Sequence, residues 1–346
     1  VAVTLKHIAD QLGVSTQAVS LALHKPPGAA RISAELRERI VATAHEMGYQ
    51  PNRFARALVH GQSNFIGLLM LSHTSVPYGA ALEGAVSEAA ATGYDILLCD
   101  AHGLQTPQEQ LQTFAESRVE GIISVGSSNV GLQDEVLSRK PPGVPMISIN
   151  REVQGSGVLN ILMDNCKALQ QATEHLIRLG HRRIAYLDQA TPPHQSYLQS
   201  SHERREGYRQ AIAAAGFEPI IRTLPLEPSA DQRVAGATAN AHELLTGPQP
   251  PTAFCCVTDF EAIGALRACN ALGLQVPEKV ALYGFDDREA GQWTVPALSS
   301  VRQTFHEAGC LAVQRLLNWE EPQGSPVVRL DCELIFRGSA PALPPS

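Results

Sequence analysis

Apolar residues recur at helical spacing from the start of the chain. Leu5, Ile8, Ala9 and Leu12 share one face, and Gly13 follows as a stop. Ser15 can then cap a second helix that carries Ala18, Val19, Ala22 and Leu23. Two helices joined through Gly13-Val14-Ser15 make a helix-turn-helix candidate. Pro26-Pro27-Gly28 breaks the pattern, and Ser33 caps a third helix whose Leu36, Ile40, Ala44 and Met47 share a face until Gly48. A three-helix head is expected, with Tyr49 packed on its third helix. The segment 52–59 has good helix formers but covers barely two turns, too short to stay helical alone in water. It is expected to fold against something else, with 61–64 as a linker.

From Phe65 the rhythm changes to short apolar runs alternating with amphipathic stretches, the signature of parallel sheets covered by helices on both faces. Strands are expected over 66–71, 95–99, 121–125 and 144–149, with helices over 79–91, 107–116 and 132–138. A second series follows: helices over 165–179, 204–215, 231–245 and 261–272, and strands over 183–187, 220–224, 253–257 and 279–285. A helix over 305–319 and a strand over 327–334 remain, and can complete the two halves by crossing between them. The fold class is therefore α/β: a three-helix head followed by two doubly wound parallel-sheet subdomains. The cleft between two such halves is the default ligand site.

The chain has 346 residues, enough for about two domains of ~150 residues each. No uninterrupted run of apolar residues and glycine exceeds the seven of 65–71, against the roughly 20 that cross a bilayer. A soluble protein with no membrane partner is expected. Seven cysteines, an odd number set mostly in apolar runs, and the lack of a basic-then-apolar leader point to the cytoplasm. The net charge of −7 is unevenly placed: residues 1–60 hold seven Lys/Arg against four Asp/Glu, and the remainder holds 20 against 30. A basic head on an acidic body suits a module that meets phosphate while the body stays off it.

Enzyme signatures are missing. There is no glycine-rich dinucleotide loop, phosphate loop, nucleophile elbow, paired zinc cysteines or His-Glu-x-x-His, so neither catalytic residues, a metal nor a cofactor is expected. Cys255 and Cys256 are adjacent and read as small buried hydrophobes on opposite faces of a strand. Asp286-Asp287, at the end of an expected strand, is either a turn and helix cap or a cleft group accepting hydrogen bonds from a ligand.

The opening run from Val3 to Ser20, together with Met47-Gly48-Tyr49-Gln50-Pro51-Asn52 and Ala55-Arg56-Ala57-Leu58, resembles the lactose repressor family of bacterial transcription regulators. The resemblance extends over essentially the whole chain. It implies a homodimer that places each second helix in the major groove of a pseudopalindromic operator, with Thr4, Ser15, Thr16, Gln17, Ser20 and Leu21 at the DNA. Gln17 can pair bidentately with adenine, while Leu21 offers only apolar contact where many relatives are polar or basic. The alternative for Leu21 is a place in the helical core. Arg31, Asn52, Arg53 and Arg56 are expected on the DNA backbone. Leu58 resembles the hinge leucine that wedges into a central minor-groove step, the alternative being a buried leucine in an ordinary linker.

The body resembles the family's effector-binding core, related in fold to periplasmic binding proteins. The domains implied are 1–50 for DNA binding and 51–64 for the hinge and linker. The N-terminal subdomain takes 65–160 with 292–322, the C-terminal subdomain takes 161–291 with 323–337, and 338–346 is a flexible tail. Arg204 occupies the ligand-binding arginine position, with Asp286 as its acidic counterpart, a pairing suited to adjacent hydroxyls. Arg204 could instead be a solvated salt-bridge residue, with Arg205 as its rival. Tyr78, Asn150, Thr258, Asp259, Gln303 and Phe305 complete the implied effector site. The proline-rich tail lacks heptads, which favours a dimer. The function implied is an operator-binding repressor that answers to a sugar or sugar derivative. A purine-like corepressor or an activator role is the alternative, and a periplasmic-type sugar-binding protein is further off.

Overall fold

The computed structural model describes residues 3–24, 32–49, 63–70, 76–100, 107–126, 141–153, 157–190, 199–227 and 229–343. They form two compact units, Val1–Ser63 and Asn64–Ser346.

The first unit is the helical head: α1 (Leu5–Leu12), α2 (Thr16–His24) and α3 (Ala34–Glu46). Its starts and stops are local chemistry. His7 Nδ1 accepts from the Thr4 amide, Ser15 Oγ from the Ala18 amide and Ser33 Oγ from the Leu36 amide, so side chains satisfy the donors that helix starts leave open. Gly13 ends α1 at φ +66°, a left-handed turn that glycine adopts without strain. Ile8, Ala9, Val19, Ala22, Ile40 and Ala44 form the buried core, and Leu12, Leu23, Leu36, Met47 and Tyr49 pack against it. Arg37 donates to the Ala22 carbonyl at 2.7 Å and ties α3 to α2.

The second unit holds β1 (Phe65–Met70), α4 (Val76–Thr92), β2 (Asp95–Asp100), α5 (Pro107–Glu116), β3 (Gly121–Val125), β4 (Met146–Ile149) and β5 (Val158–Met163). Then come α6 (Asn165–Arg178), β6 (Ile184–Gln189), α7 (Gln199–Ala214), β7 (Ile220–Leu224), α8 (Ala230–Thr246), β8 (Ala253–Cys256), α9 (Asp259–Ala271) and β9 (Ala281–Phe285). The chain closes with α10 (Glu289–Gln292), β10 (Ser299–Arg302), α11 (Phe305–Leu317), β11 (Val327–Leu330) and β12 (Glu333–Ile335). The strands make two six-stranded sheets. The first, ordered β11-β5-β4-β3-β1-β2, is all parallel; the second, β12-β10-β9-β8-β6-β7, is parallel except for antiparallel β12.

Each sheet is covered on both faces. Helices α4 and α11 bury Ala81, Ala85, Phe305 and Val313 on the first sheet, and Leu111 and Phe114 of α5 cover its other face. On the second sheet α6 and α7 lie on one face, with Leu169, Tyr208 and Ile212, and α8 and α9 on the other, with Ala237 and Ala265. Three of the helix pairs approach through glycine, α8 and α9 through Gly264. A methyl added to Gly309 of α11 would sit 2.1 Å from the Ala81 carbonyl of α4, and one added to Gly207 of α7 would sit 2.1 Å from the Cys166 carbonyl of α6.

The chain passes between the sheets three times, at Asp164, at Gln303-Thr304 and at Asp331-Cys332. These crossings correct the expected subdomain boundaries. A division at 160/161 would cut β5, yet its whole length pairs with β4 and β11. β10 belongs to the second sheet although it lies in the span 292–322 assigned to the first half, and β11 belongs to the first although it lies in 323–337. The single strand expected over 327–334 is two strands, one in each sheet.

The span 338–346 is not a free tail where it is described. Ser339 is buried, accepts from the Leu282 amide through its carbonyl, and donates to the Leu282 carbonyl at 2.8 Å through its hydroxyl. The Pro341 carbonyl lies 2.9 Å from His175 Nε2. Backbone groups at the end of the second sheet need partners, and this segment supplies them. The helix expected over 132–138 lies outside the described residues. Among the described residues no helix is long and apolar enough to cross a membrane.

Candidate functional site

In the head, Thr4, Ser15, Thr16 and Gln17 are exposed, and Ser20 and Leu21 are partly so. Leu21 is not among the apolar side chains packed on the head's core. Arg31, Asn52, Arg53, Arg56 and Leu58 lie outside the described residues.

In the larger unit, all three crossings leave or enter the sheets where parallel strands end. The C-terminal edges of the two sheets are therefore the linked edges, the place where open α/β sheets bind ligands. At this edge of the second sheet, α7 presents Arg204 beneath the end of β9. Its Nε donates to Asn165 Oδ1 at 3.0 Å, one Nη to the Val257 carbonyl at 2.6 Å, and the other lies 3.6 Å from Asp286 Oδ1. The guanidinium stacks 3.7 Å from the centre of the Phe285 ring. Arg204 and Asp286 side chains are only 6% and 7% exposed, so the pair is buried rather than solvated. Asp286 also accepts from Gln303 Nε2 at 2.8 Å and from Arg288 at 3.2 Å. Its backbone is held at φ +99° and that of Asp287 at +48°, conformations a side-chain-bearing residue adopts only when its surroundings impose them.

At the matching edge of the first sheet, Asn150, itself at φ +64°, donates to the Tyr78 hydroxyl at 2.9 Å. The Tyr78 ring meets Phe305 edge-on, with centres 5.2 Å apart. Phe305 starts α11 just past Gln303, so the crossing between them joins the amide and aromatic group of one sheet to the charged group of the other.

Thr258 and Asp259 sit at the same edge of the second sheet, with their side chains already engaged. Thr258 Oγ1 caps α9, donates to Glu261 and accepts from Arg233 at 2.9 Å, while Arg233 forks onto Glu261. Asp259 is fully buried between the Ser300 hydroxyl and the Arg288 amide. Burial pushes its carboxyl up to about 8, and the neighbouring Asp286 charge adds to the shift. Arg205, the rival of Arg204, instead pairs with buried Asp188 at the end of β6. Burial raises the Asp188 carboxyl, opposed by the Arg205 charge.

Asn165 escaped the sequence reading. Its side chain accepts from Arg204 and donates both to the Met163 carbonyl, at the end of β5, and to Glu203 Oε2. Glu203 in turn meets Arg329 of β11 at 3.3 Å. Arg204 is thereby connected, through Asn165 and Glu203, to two strands of the other sheet. The available signal was position: Asn165 directly follows Asp164, the cap of α6 at a crossing.

A helix-turn-helix head carried by a body of two linked parallel-sheet subdomains, with a buried polar cluster at the linked edges, defines a ligand-responsive transcriptional regulator. Residues 4–52 match the model of bacterial regulatory proteins of the lacI family, and 173–340 match a periplasmic binding protein-like domain. The chain is 31% identical to the HTH-type transcriptional repressor CytR of Escherichia coli strain K12, over 99% of this chain and 98% of that one. It also superposes on the lac repressor dimer bound to operator and the anti-inducer ONPF, with a TM-score of 0.79 and 26% identity over 99% of this chain and 100% of that one. A transcriptional regulator CelR–cellobiose complex matches with a TM-score of 0.64 and 25% identity, over 97% and 99% of the chains. The chain belongs to the lacI family of bacterial regulatory proteins. It is a transcriptional regulator.

Proposed function

We propose that the protein is an operator-binding repressor acting as a homodimer and governed by a sugar or sugar derivative bound between the subdomains. The observation that carries this reading is the Arg204–Asp286–Gln303 cluster at the linked sheet edges. A guanidinium fork, a carboxylate and an amide held together are the donor and acceptor types that recognise hydroxyls. Tyr78, Asn150 and Phe305 complete the site from the first sheet, and Thr258 and Asp259 act by holding the ends of β8 and β9 in place. The CelR–cellobiose complex supports a sugar. The operator-bound lac repressor dimer supports both the operator and the dimer.

Thr16, Gln17, Ser20 and Leu21 would read base edges, with Thr4, Ser15, Arg31, Asn52, Arg53 and Arg56 on the backbone and Leu58 in the minor groove. Effector binding pulls on Arg204 and Asp286, and through their partners Asn165 and Gln303 on the crossings, so the balance between two arrangements of the subdomains shifts operator affinity. The test is binding of the purified protein to its own upstream DNA at fixed salt, with and without a panel of sugars and purines. Sequence-specific binding altered by one sugar is the expected result, and its direction tells an inducer from a corepressor. A purine as the only active compound would replace the sugar. Salt-sensitive binding that is blind to sequence and to every compound would sink the reading.

A further inference from the structure

Glu203 is bonded to both halves of the body. Its Oε1 accepts from the two terminal nitrogens of Arg329, each at 3.3 Å, and from Gln199 Nε2, while its Oε2 accepts from Asn165 Nδ2 at 3.3 Å. Arg329 lies in β11, the edge strand of the first sheet. Asn165 in turn accepts from Arg204 Nε at 3.0 Å and donates to the Met163 carbonyl. One carboxylate therefore holds a strand of the first sheet with one oxygen and the amide behind Arg204 with the other. A second ion pair lies at the same junction and offers a contrast. Lys167 of α6 meets Asp331, in the crossing between β11 and β12, at 2.7 Å. Among the described residues no hydrogen bond ties that pair to Asn165 or Arg204.

We propose that Glu203 is a positioning residue which, paired with Arg329, couples the placement of the first sheet to the hold on Arg204. The proposal rests on the effector reading above. If β11 draws away from α7, Glu203 loses its cation, and the Glu203 carboxylate no longer has a fixed place from which to steady Asn165 and, through it, Arg204. Linkage makes the effect reciprocal: an effector that needs Arg204 in place favours the arrangement in which Glu203 reaches Arg329. A ligand or a contact shifts such a balance only by its own differential worth. For a pair whose arginine is 42% exposed, that worth is about two- to fivefold in an equilibrium. Lys167 and Asp331 are more exposed still, at 49% and 71%, and lack the link to Arg204.

The experiment is isothermal titration of the full-length protein with glucose, galactose, ribose, cellobiose and adenosine, all uncharged at neutral pH. For a compound that binds, Glu203→Gln and Arg329→Met should each weaken binding about two- to fivefold. The double variant should be no weaker than either single one, because the two changes remove the same contact. Lys167→Met should leave the affinity where it was. Raising the salt from about 0.05 M to about 1 M should bring wild-type binding down to the level of the variants and leave the variants as they are. An uncharged ligand has no charge of its own to screen, and the buried Arg204–Asp286 pair is screened far less than Glu203–Arg329. Thermal melts check the fold of each variant, and the salt titration of the wild type decides the matter even if a variant is unstable. Wild-type binding indifferent to salt would overturn the proposal, as would equal losses in Lys167→Met and Glu203→Gln or losses that add in the double variant. Failure of the effector reading looks different: no compound would bind at all, and both proposals would fall together.

Discussion

The two halves of the core share a plan and divide the chemistry. Each has six strands, and each holds a helix pair that meets through a glycine, Gly309 in one and Gly207 in the other. At the linked edge the first sheet offers an amide and two aromatic rings, Asn150, Tyr78 and Phe305. The second sheet crowds Asp188, Asp259, Asp286, Arg204 and Arg288 into the equivalent place. Common topology thus provides a common edge, while the residues that follow each strand decide what it can bind. Charges so far from water persist only where each finds a partner, which explains why the second edge is a connected network and the first a simple contact.

Four substitutions would break or sharpen that contrast. Arg204→Ala strips a partner from Asp286, Asn165 and the Val257 carbonyl, and should cost about 3–5 kcal/mol and abolish any effector response. Phe305→Ala, in the other half, should cost a similar ~3–5 kcal/mol by leaving a cavity. The conservative replacements separate the causes. Phe305→Leu should recover most of the loss in a denaturant melt, whereas Arg204→Met, of similar length, should recover little because Asn165, the Val257 carbonyl and Asp286 still lose their partner.

Next in size, Gly207→Ala and Gly309→Ala each force a methyl into a backbone carbonyl, at about 1–3 kcal/mol apiece. Because the sites lie in different halves, the double variant should show the sum. A neutral result at one of them would end the symmetry between the helix pairs.

Asp259→Asn tests the buried acid of the second edge. With its carboxyl pushed up to about 8, the folded chain holds the proton more tightly than the unfolded chain, whose carboxyl titrates at about 3.9. The stability this lends is complete below the unfolded value and is lost as pH climbs through the folded one. The wild-type melting temperature, measured between pH 6 and 9, should therefore fall relative to the asparagine variant. Parallel curves would show that Asp259 is ionised throughout. The smallest effect belongs to Glu203→Gln. Its pairing with Arg329 is partly exposed and should be worth no more than about 0.5–1 kcal/mol, vanishing at high salt.

The alternation of strands and helices was legible because most strands are short apolar runs, from Ile66 to Phe285. The missed strands are those whose polar residues are satisfied by distant partners. β5 reads as broken by Asn160, yet that side chain is buried, accepting from the Val153 amide at 2.8 Å and donating to its carbonyl. β10 opens with two serines and looks like a loop, but Ser299 bonds to Arg337 and Ala340, and Ser300 to Asp259. Family likeness brought Arg204, Asp286, Gln303 and Phe305 into view. The only mark on Asn165 was its place after the cap Asp164, and nothing local marked Arg288 or Glu203, since a charge beside a helix start usually serves as a cap or a solvated side chain.

By itself, the sequence determined the head, the alternating body and the excess of base over acid at one end, because helix periodicity, caps and turn residues act over a few neighbours. The tertiary structure alone decided which strand joins which sheet, where the three crossings fall, and that Ser339 and Ala340 are buried against the second sheet. It also decided that Thr258 and Asp259 hold the frame while Arg204 faces the cluster. Each of these depends on partners tens to more than a hundred residues apart, and the pairing of buried polar groups is settled only when the whole edge is assembled.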